Sequence, residues 1–320
     1  MVVGEGLEVE AAASPAVSDQ FTPPLPANAS THRYFFLFKP NFFPLIYFSQ
    51  HSHSNYTLKM SPKSILIINP NTSKSMTEGL APLIQTLQNE CSSSTIISTY
   101  TAPQGVASVD NEEDALVSAK LAFSDLESQF SKYDAILVAC YCVHPLVGML
   151  RDHLPPHIHV TGIFEASVSV SLSLLPMEYE HETKRNTRSK FGIVSTGTYW
   201  ENALSDGVKK LLDLKDLNAS ERFKGVETTG LTAAELHTAP PELVRQRMME
   251  ATKRLVRDRD VMIICMGCAG MAGLDSVVEE ALVEELGEEE AQYVHVLDGV
   301  KAGIGALETL LRALPAKKRR

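Results

Sequence analysis

The chain has 320 residues, of which 44% are hydrophobic and 21% are charged, and its formal net charge is −10. This composition is typical of a globular protein with a sizeable core. The negative charge argues against broad binding to nucleic acid or to an anionic membrane, so the expected partner is a small molecule. A homo-oligomer stays open. We interpret the basic residues 317–320 (KKRR) as a solvated tail.

The five cysteines are an odd number in a chain far longer than a disulfide scaffold. This usage indicates a reducing compartment and predicts a cytoplasmic protein with free thiols. Cys140 and Cys142 follow one apolar run, and Cys265 and Cys268 end another, with no compensating ligand pattern between the pairs. A zinc site is therefore not expected, and no other metal or cofactor is indicated. Cys91 and Cys265 are interpreted as structural.

Residues 1–60 differ in character from the rest of the chain. They begin with Ala, Pro and Ser and continue into two aromatic runs, which residues 39–41 (KPN) interrupt. The interruption leaves each run short of the roughly 20 apolar residues that a membrane-spanning helix needs. We expect a disordered extension. The alternatives are a targeting peptide and a natural start at Met60.

From residue 64 onward, short β-branched and apolar runs alternate with longer segments of helical periodicity. This alternation is typical of βαβ units that form a parallel sheet. The predicted strands cover residues 64–69, 95–100, 135–140, 159–163, 191–195, 223–228, 261–266 and 293–297. They fall into two groups of four, so the predicted fold class is α/β with a four-stranded, mainly parallel sheet in each of two lobes.

The two groups of strands resemble each other. Each opens with a strand that runs into a Ser/Thr/Asn-rich loop, and in each the third strand follows an aspartate and ends in cysteine. This repetition predicts pseudo-symmetric lobes with a site in the cleft between them. The polar residues 178–190 are interpreted as an exposed connection. We assign residues 61–165 with 300–320 to the first lobe and residues 166–299 to the second.

Cys140 and Cys268 lie at the two equivalent strand ends. In open α/β sheets, ligands bind beyond the carboxyl ends of the strands, near helix N-termini. The positive end of a helix there is expected to lower the thiol pKa from about 8.5 toward neutrality. Cysteine is also a common small buried residue, but its presence at both strand ends favours a chemical role.

Two thiols on opposite faces of one carbon suit a stereochemical inversion. One thiolate removes a proton, and the other thiol delivers a proton to the opposite face. A carbonyl beside that carbon, held by loop N–H groups, carries the developing negative charge. The pattern therefore predicts a racemase that needs no cofactor.

Several motifs resemble the hydantoin racemase branch of the aspartate/glutamate racemase superfamily. They are residues 68–73 (INPNTS), 139–140 (AC), 162–166 (GIFEA), 195–197 (STG) and 267–271 (GCAGM), within a match from about residue 64 to 312. The segment 140–146 (CYCVHPL) is similar to fungal members associated with allantoin catabolism. The resemblance implies Cys140 and Cys268 as the acid/base pair and 5-substituted hydantoins, allantoin among them, as substrates.

The first-lobe thiol has an alternative. Bacterial hydantoin racemases have Cys-Phe-Gly-Asp-Pro where this chain has residues 140–145 (CYCVHP), one residue longer. An ungapped alignment of the two lobes from their aspartates pairs Cys142, not Cys140, with Cys268. We favour Cys140 because it directly follows the apolar strand, and we keep Cys142 and His144 as auxiliary candidates. His144 is interpreted either as a group that tunes the thiol or as the start of a helix.

Loop residues near the two thiols are predicted to bind substrate. Ser and Thr in these loops are also good helix N-caps, and a carboxylate in a first helical turn is favoured by the dipole alone. Both roles are compatible with contact to a planar imide or ureido group. The predicted binding residues are Asn71, Thr72, Ser73, Glu165, Thr196, Gly197, Gly267 and Ala269.

Other functions stay possible from the sequence. An amino-acid racemase or a maleate-type isomerase of the same superfamily would favour a basic residue for the substrate carboxylate, whereas the Asn-Thr-Ser loop suits a neutral or weakly acidic ring. A non-catalytic ligand-binding protein is disfavoured because both cysteines are present. A thiol-redox protein is disfavoured because Cys140 and Cys142 lack the C-x-x-C spacing.

Overall fold

The structure is a computed structural model that describes residues 62–90, 95–176, 188–215 and 221–314. The predictions for residues 1–60, for Cys91 and for the tail at 317–320 fall outside these described residues. No helix in the described ranges is long and apolar enough to cross a membrane.

In the described part of the chain, eight parallel strands form two sheets with the same topology. The first sheet has the order β2-β1-β3-β4, and the second has the order β6-β5-β7-β8. The strands are β1 (Lys63–Asn69), β2 (Thr95–Thr101), β3 (Ala135–Val138), β4 (His159–Gly162), β5 (Lys190–Ser195), β6 (Phe223–Thr228), β7 (Val261–Met266) and β8 (His295–Asp298). The predicted fold class of two pseudo-symmetric α/β lobes is therefore confirmed.

Helices flank both sheets. They are α1 (Lys74–Gly79), α2 (Ala81–Glu90), α3 (Glu112–Leu126), α4 (Pro145–His153), α5 (Ile163–Leu174), α6 (Tyr199–Leu211), α7 (Glu235–Thr238), α8 (Pro241–Val256), α9 (Asp275–Leu286), α10 (Glu288–Ala291) and α11 (Gly299–Ala313). Within the described ranges, short 3₁₀ helices cover Phe130–Lys132 and Ala269–Met271.

Two predicted strand boundaries were wrong by two residues, and the other differences are of one residue. β3 ends at Val138 and not at residue 140, because the chain turns there: the Cys142 N–H donates to the Cys140 carbonyl at 3.1 Å. β8 begins at His295 and not at residue 293, because the Tyr293 N–H still bonds back to the Glu290 carbonyl. The first correction places Cys140 and Cys142 in the loop beyond β3.

Helix α11 connects the two sheets. Asp298 at the end of β8 caps it by accepting the Val300 and Lys301 N–H groups, each at 2.8 Å. The helix then packs on α5, β4 and β3. Gly303 allows the close approach, because a Cβ atom there would come within 2.5 Å of Leu137 Cδ1.

The largest buried cluster contains residues from both sheets. Ile65 and Leu137 of the first sheet and Phe191 and Ile193 of the second all belong to it. Phe164 is also fully buried in this cluster. Because hydrophobic burial is shared across both sheets, the cleft between them has a rigid apolar base.

Candidate active site

A pocket opens where the carboxyl ends of the two sheets face each other. It has about 400 Å³ of empty space when its open mouth is included. Both candidate thiols line it. The lining residues are Asn71, Met76, Val109, Ala139, Cys140, Tyr141, Thr196, Trp200, Ala233, Gly267, Cys268, Ala269 and Gly270.

Cys140 and Cys268 occupy equivalent positions in the two lobes. The residue before each thiol donates its N–H to the neighbouring central strand: Ala139 to the Ile68 carbonyl at 2.8 Å, and Gly267 to the Val194 carbonyl at 2.7 Å. The strand register therefore pairs Cys140 with Cys268. An ungapped alignment fails because β7 has extra length, marked by a register shift where β5 pairs with it.

Cys142 does not line the pocket. Its side chain is buried, and its Sγ lies 3.8 Å from the Sγ of Cys140. It lines a neighbouring cavity instead. Cys142 is thus a direct neighbour of the pocket thiol but faces the other way.

Both pocket thiols have raised pKa values, contrary to the prediction that helix N-termini lower them. The hydrogen bond with Cys142 and burial raise the pKa of Cys140 well above its usual range. Burial raises the pKa of Cys268 to about 12, and the Gly270 N–H, 3.3 Å from its Sγ, opposes this only in part. Helix α4 begins five residues after Cys140, at Pro145, so its dipole acts too far away.

Asp110 is a functional candidate that the sequence analysis missed. Its charge raises the pKa of both Cys140 and Cys268, so it acts on the two thiols together. Asn111 beside it caps α3 by accepting the Asp114 N–H at 3.0 Å. Acidic residues at a helix start are common because they stabilise the helix N-terminus. Asp110 therefore could not be distinguished by sequence from carboxylates with a structural role.

The predicted binding loop of the first lobe reaches the pocket at one residue. Asn71 lines the pocket and is buried. Its Oδ1 accepts the Ser73 N–H at 2.9 Å, and its Nδ2 lies 3.3 Å from the Met76 sulfur. Ser73 caps α1, and the Thr72 N–H donates to the Val106 carbonyl at 2.9 Å. Neither Thr72 nor Ser73 lines the pocket.

The second lobe contributes three of its four predicted binding residues. Thr196, Gly267 and Ala269 line the pocket, whereas Gly197 does not. Gly267 is required by close packing, because a Cβ atom there would come within 2.9 Å of the Val194 carbonyl oxygen. The backbone thus approaches the pocket where a larger residue would not fit.

Glu165 and His144 stand outside the pocket lining. The buried Oε2 of Glu165 has no hydrogen-bond partner among the described residues, and burial raises the pKa of its carboxyl. His144 caps α4: its Nδ1 accepts the Leu146 N–H at 3.3 Å, and its Nε2 lies 3.1 Å from Ser118 Oγ. Burial lowers the pKa of His144 to about 4. These contacts fit the helix-start interpretation of His144.

Trp200 and His237 are two further residues that the sequence analysis did not identify. Trp200, in the first turn of α6, lines the pocket. His237 of α7 lies over Gly270, because a Cβ atom at Gly270 would meet its Nε2 at 2.9 Å. The position of Trp200 directly after the Thr196 loop was the one sequence signal for it.

Comparison with known proteins identifies the family. A family model described as Asp/Glu/Hydantoin racemase matches residues 65–307. The chain belongs to this family. The match includes both lobes and both pocket thiols, so the resemblance to racemases is confirmed, and the chain is a racemase of this superfamily.

Several known proteins are similar to this racemase over most of its length. An uncharacterized protein of Schizosaccharomyces pombe is 30% identical over 251 residues, covering 78% of this chain and 92% of that protein. A hydantoin racemase of a Pseudomonas species is 26% identical, covering 77% of this chain and 85% of that protein. The crystal structure of allantoin racemase from Pseudomonas fluorescens has a TM-score of 0.62 at 25% identity, covering 78% of this chain and 91% of that one.

Proposed function

We propose that this racemase inverts the C5 centre of 5-substituted hydantoins, with allantoin as the favoured substrate. The proposed acid/base pair is Cys140 and Cys268. The observation that carries the proposal is that the two thiols line one pocket from equivalent positions of two lobes. The similarity to a hydantoin racemase and to an allantoin racemase supports the substrate class.

The proposed reaction moves one proton in and one proton out. The thiolate of one cysteine takes the C5 proton, the electron pair shifts into the neighbouring carbonyl, and the thiol of the other cysteine protonates C5 from the opposite face. The Gly270 N–H next to Cys268 is a donor placed to stabilise negative charge at that end of the pocket. No cofactor enters these steps.

The charge of the pocket supports a neutral ring over an amino acid. Among the described residues that line it, none is Lys or Arg. Asp110 adds negative charge that acts on both thiols. A free carboxylate would lack a cationic partner and would be repelled, because like charges in a partly desolvated site oppose each other. A hydantoin ring needs only hydrogen bonds, and the pocket-lining residues Asn71 and Thr196 are the partners that we propose for them.

The direct test follows C5–H exchange in D₂O. Enantiopure allantoin is incubated with the protein while proton NMR records loss of the C5–H signal and polarimetry records loss of rotation, with the spontaneous rate subtracted. We expect coupled exchange and loss of rotation, and no comparable activity on L-glutamate or L-aspartate. Turnover of an amino acid without turnover of any hydantoin would overturn the proposal.

A further inference from the structure

A second cavity lies directly behind the candidate active site. We call it the outer cavity and define it by Glu112, Cys142, Val143, Tyr199, Trp200 and Lys210, which are among its lining residues. It has about 730 Å³ of empty space, against about 400 Å³ for the pocket, with the open mouth of each included. The two lobes both contribute to its wall.

Trp200 is the one described residue that lines both spaces. Its side chain is buried, with a relative exposure of 7%. The Trp200 backbone N–H donates to the Gly197 carbonyl at 3.0 Å, and the indole packs edge-on against the Tyr199 ring at a centroid distance of 5.1 Å. The indole is therefore held in place as a wall shared by two cavities.

Two neighbouring thiols also lie on the two sides of this wall, one in each cavity. Cys140 lines the pocket, and Cys142, whose Sγ is 3.8 Å from that of Cys140, lines the outer cavity. The outer cavity is apolar next to this thiol, where Val143 and Pro145 line it. Charged residues also line it, at Glu112, Asp206 and Lys210. The apolar part of this lining suits an apolar group such as an aryl side chain.

We propose that Trp200 sets the size of the C5 substituent by closing the pocket off from the outer cavity. This inference rests on the proposed function. Hydantoins with a compact polar substituent, such as the ureido group of allantoin, fit in front of the indole. Hydantoins with a bulky apolar substituent, such as 5-benzylhydantoin, need the space that the indole separates from the pocket.

The substrate arm of the test compares Trp200→Leu, Trp200→Phe and the wild type. The kcat/KM ratio of 5-benzylhydantoin to allantoin is expected to rise about tenfold or more in Trp200→Leu, since one or two methylene-sized changes in a pocket shift selectivity by about 10- to 200-fold. Trp200→Phe keeps an aromatic face and is expected to give a smaller rise. Phe130→Leu, which removes a buried aromatic ring from a different core cluster, is the control for general destabilisation.

A second arm is independent of the substrate. Cys140 is alkylated with iodoacetamide and with the bulkier N-benzyl-iodoacetamide, and peptide mass spectrometry gives the two rates. In Trp200→Leu the rate of the bulky reagent relative to the small one is expected to rise several-fold, while Phe130→Leu keeps the wild-type ratio. Circular dichroism confirms folding of each variant, and Trp200→Phe replaces Trp200→Leu if the latter does not fold.

The two arms separate the proposed function from the role of Trp200 in closing the pocket off from the outer cavity, which we call the partition. If the alkylation ratio rises but the wild type inverts no hydantoin, the proposed function fails and the partition stands. If allantoin is inverted but neither ratio changes in any Trp200 variant, the partition is overturned and the proposed function stands. Equal loss of turnover on both hydantoins, with an unchanged alkylation ratio, also overturns the partition, because Trp200 then acts only through general packing.

Discussion

The Sγ atoms of Cys140 and Cys142 lie 3.8 Å apart, yet the two thiols face different cavities. The hydrogen bond between Cys140 and Cys142 is the largest cause of the raised pKa of Cys140. This pair therefore offers a way to change the proton affinity of the pocket thiol without altering the pocket lining.

Cys142→Ala is expected to lower the pKa of Cys140 and to leave racemisation measurable. The substitution removes the thiol that raises the Cys140 pKa, so alkylation of Cys140 by iodoacetamide at neutral pH should accelerate several-fold. The rate is followed by peptide mass spectrometry against pH. Loss of racemisation in Cys142→Ala but not in Cys140→Ala would instead make Cys142 the first-lobe acid/base.

Alkylation of Cys268 is expected to keep rising with pH where an ordinary thiol levels off. Burial raises its pKa to about 12. Because only the thiolate reacts, the rate should increase about tenfold for each pH unit from about pH 7 to about pH 10, whereas an unperturbed thiol reaches a plateau above its pKa of about 8.5. A plateau for Cys268 below about pH 9 would contradict the burial argument.

Asp110→Asn is expected to lower the pKa of both pocket thiols. The carboxylate raises both values through its charge, and the amide keeps the shape without the charge. Iodoacetamide should therefore react faster with Cys140 and with Cys268 at the same pH. Glu113→Gln, an exposed charge in the first turn of the same helix α3, is the matched control and should leave both rates unchanged.

His144 is expected to make folding stability depend on pH in the mildly acidic range. Its pKa is lowered by burial to about 4, whereas an unfolded histidine has a pKa of about 6.5. Between these values the unfolded chain binds the extra proton, so stability is present above about pH 6.5 and is lost as the pH falls toward 4. The loss is at most about 3 kcal/mol.

Urea unfolding at several pH values checks this prediction with His144→Asn. Asparagine is a good N-cap and carries no titrating group, so the variant should lose most of the pH dependence in this range. His157→Asn, an exposed histidine, should keep it. An unchanged pH dependence in His144→Asn would show that other groups cause it.

The strands and the two pocket thiols were predictable because their signals are local. Apolar runs mark β3 and β7, and a cysteine next to each run is read directly from the sequence. Asp110 and Trp200 were not predictable in this way. Each lies near a helix N-terminus that is distant from the thiols along the chain. Each comes close to the site only through the packing of the lobes.

The direction of the thiol pKa shifts also required the structure. The sequence places Cys140 and Cys268 near helix starts, which predicts lowered values. In the folded chain the hydrogen bond with Cys142 and burial raise the pKa of Cys140, and burial raises the pKa of Cys268. Burial depends on contacts between lobes, which no local pattern contains.

The measurement that tests the central claim most directly is C5–H exchange of each pure allantoin enantiomer in D₂O with the Cys140→Ser and Cys268→Ser variants. The two-thiol account predicts that neither variant inverts allantoin. It also predicts that each variant can still exchange the C5 proton of one allantoin enantiomer, with retention of configuration. The enantiomer that exchanges in Cys140→Ser is the opposite of the one that exchanges in Cys268→Ser. Inversion that persists in either folded variant would contradict the account.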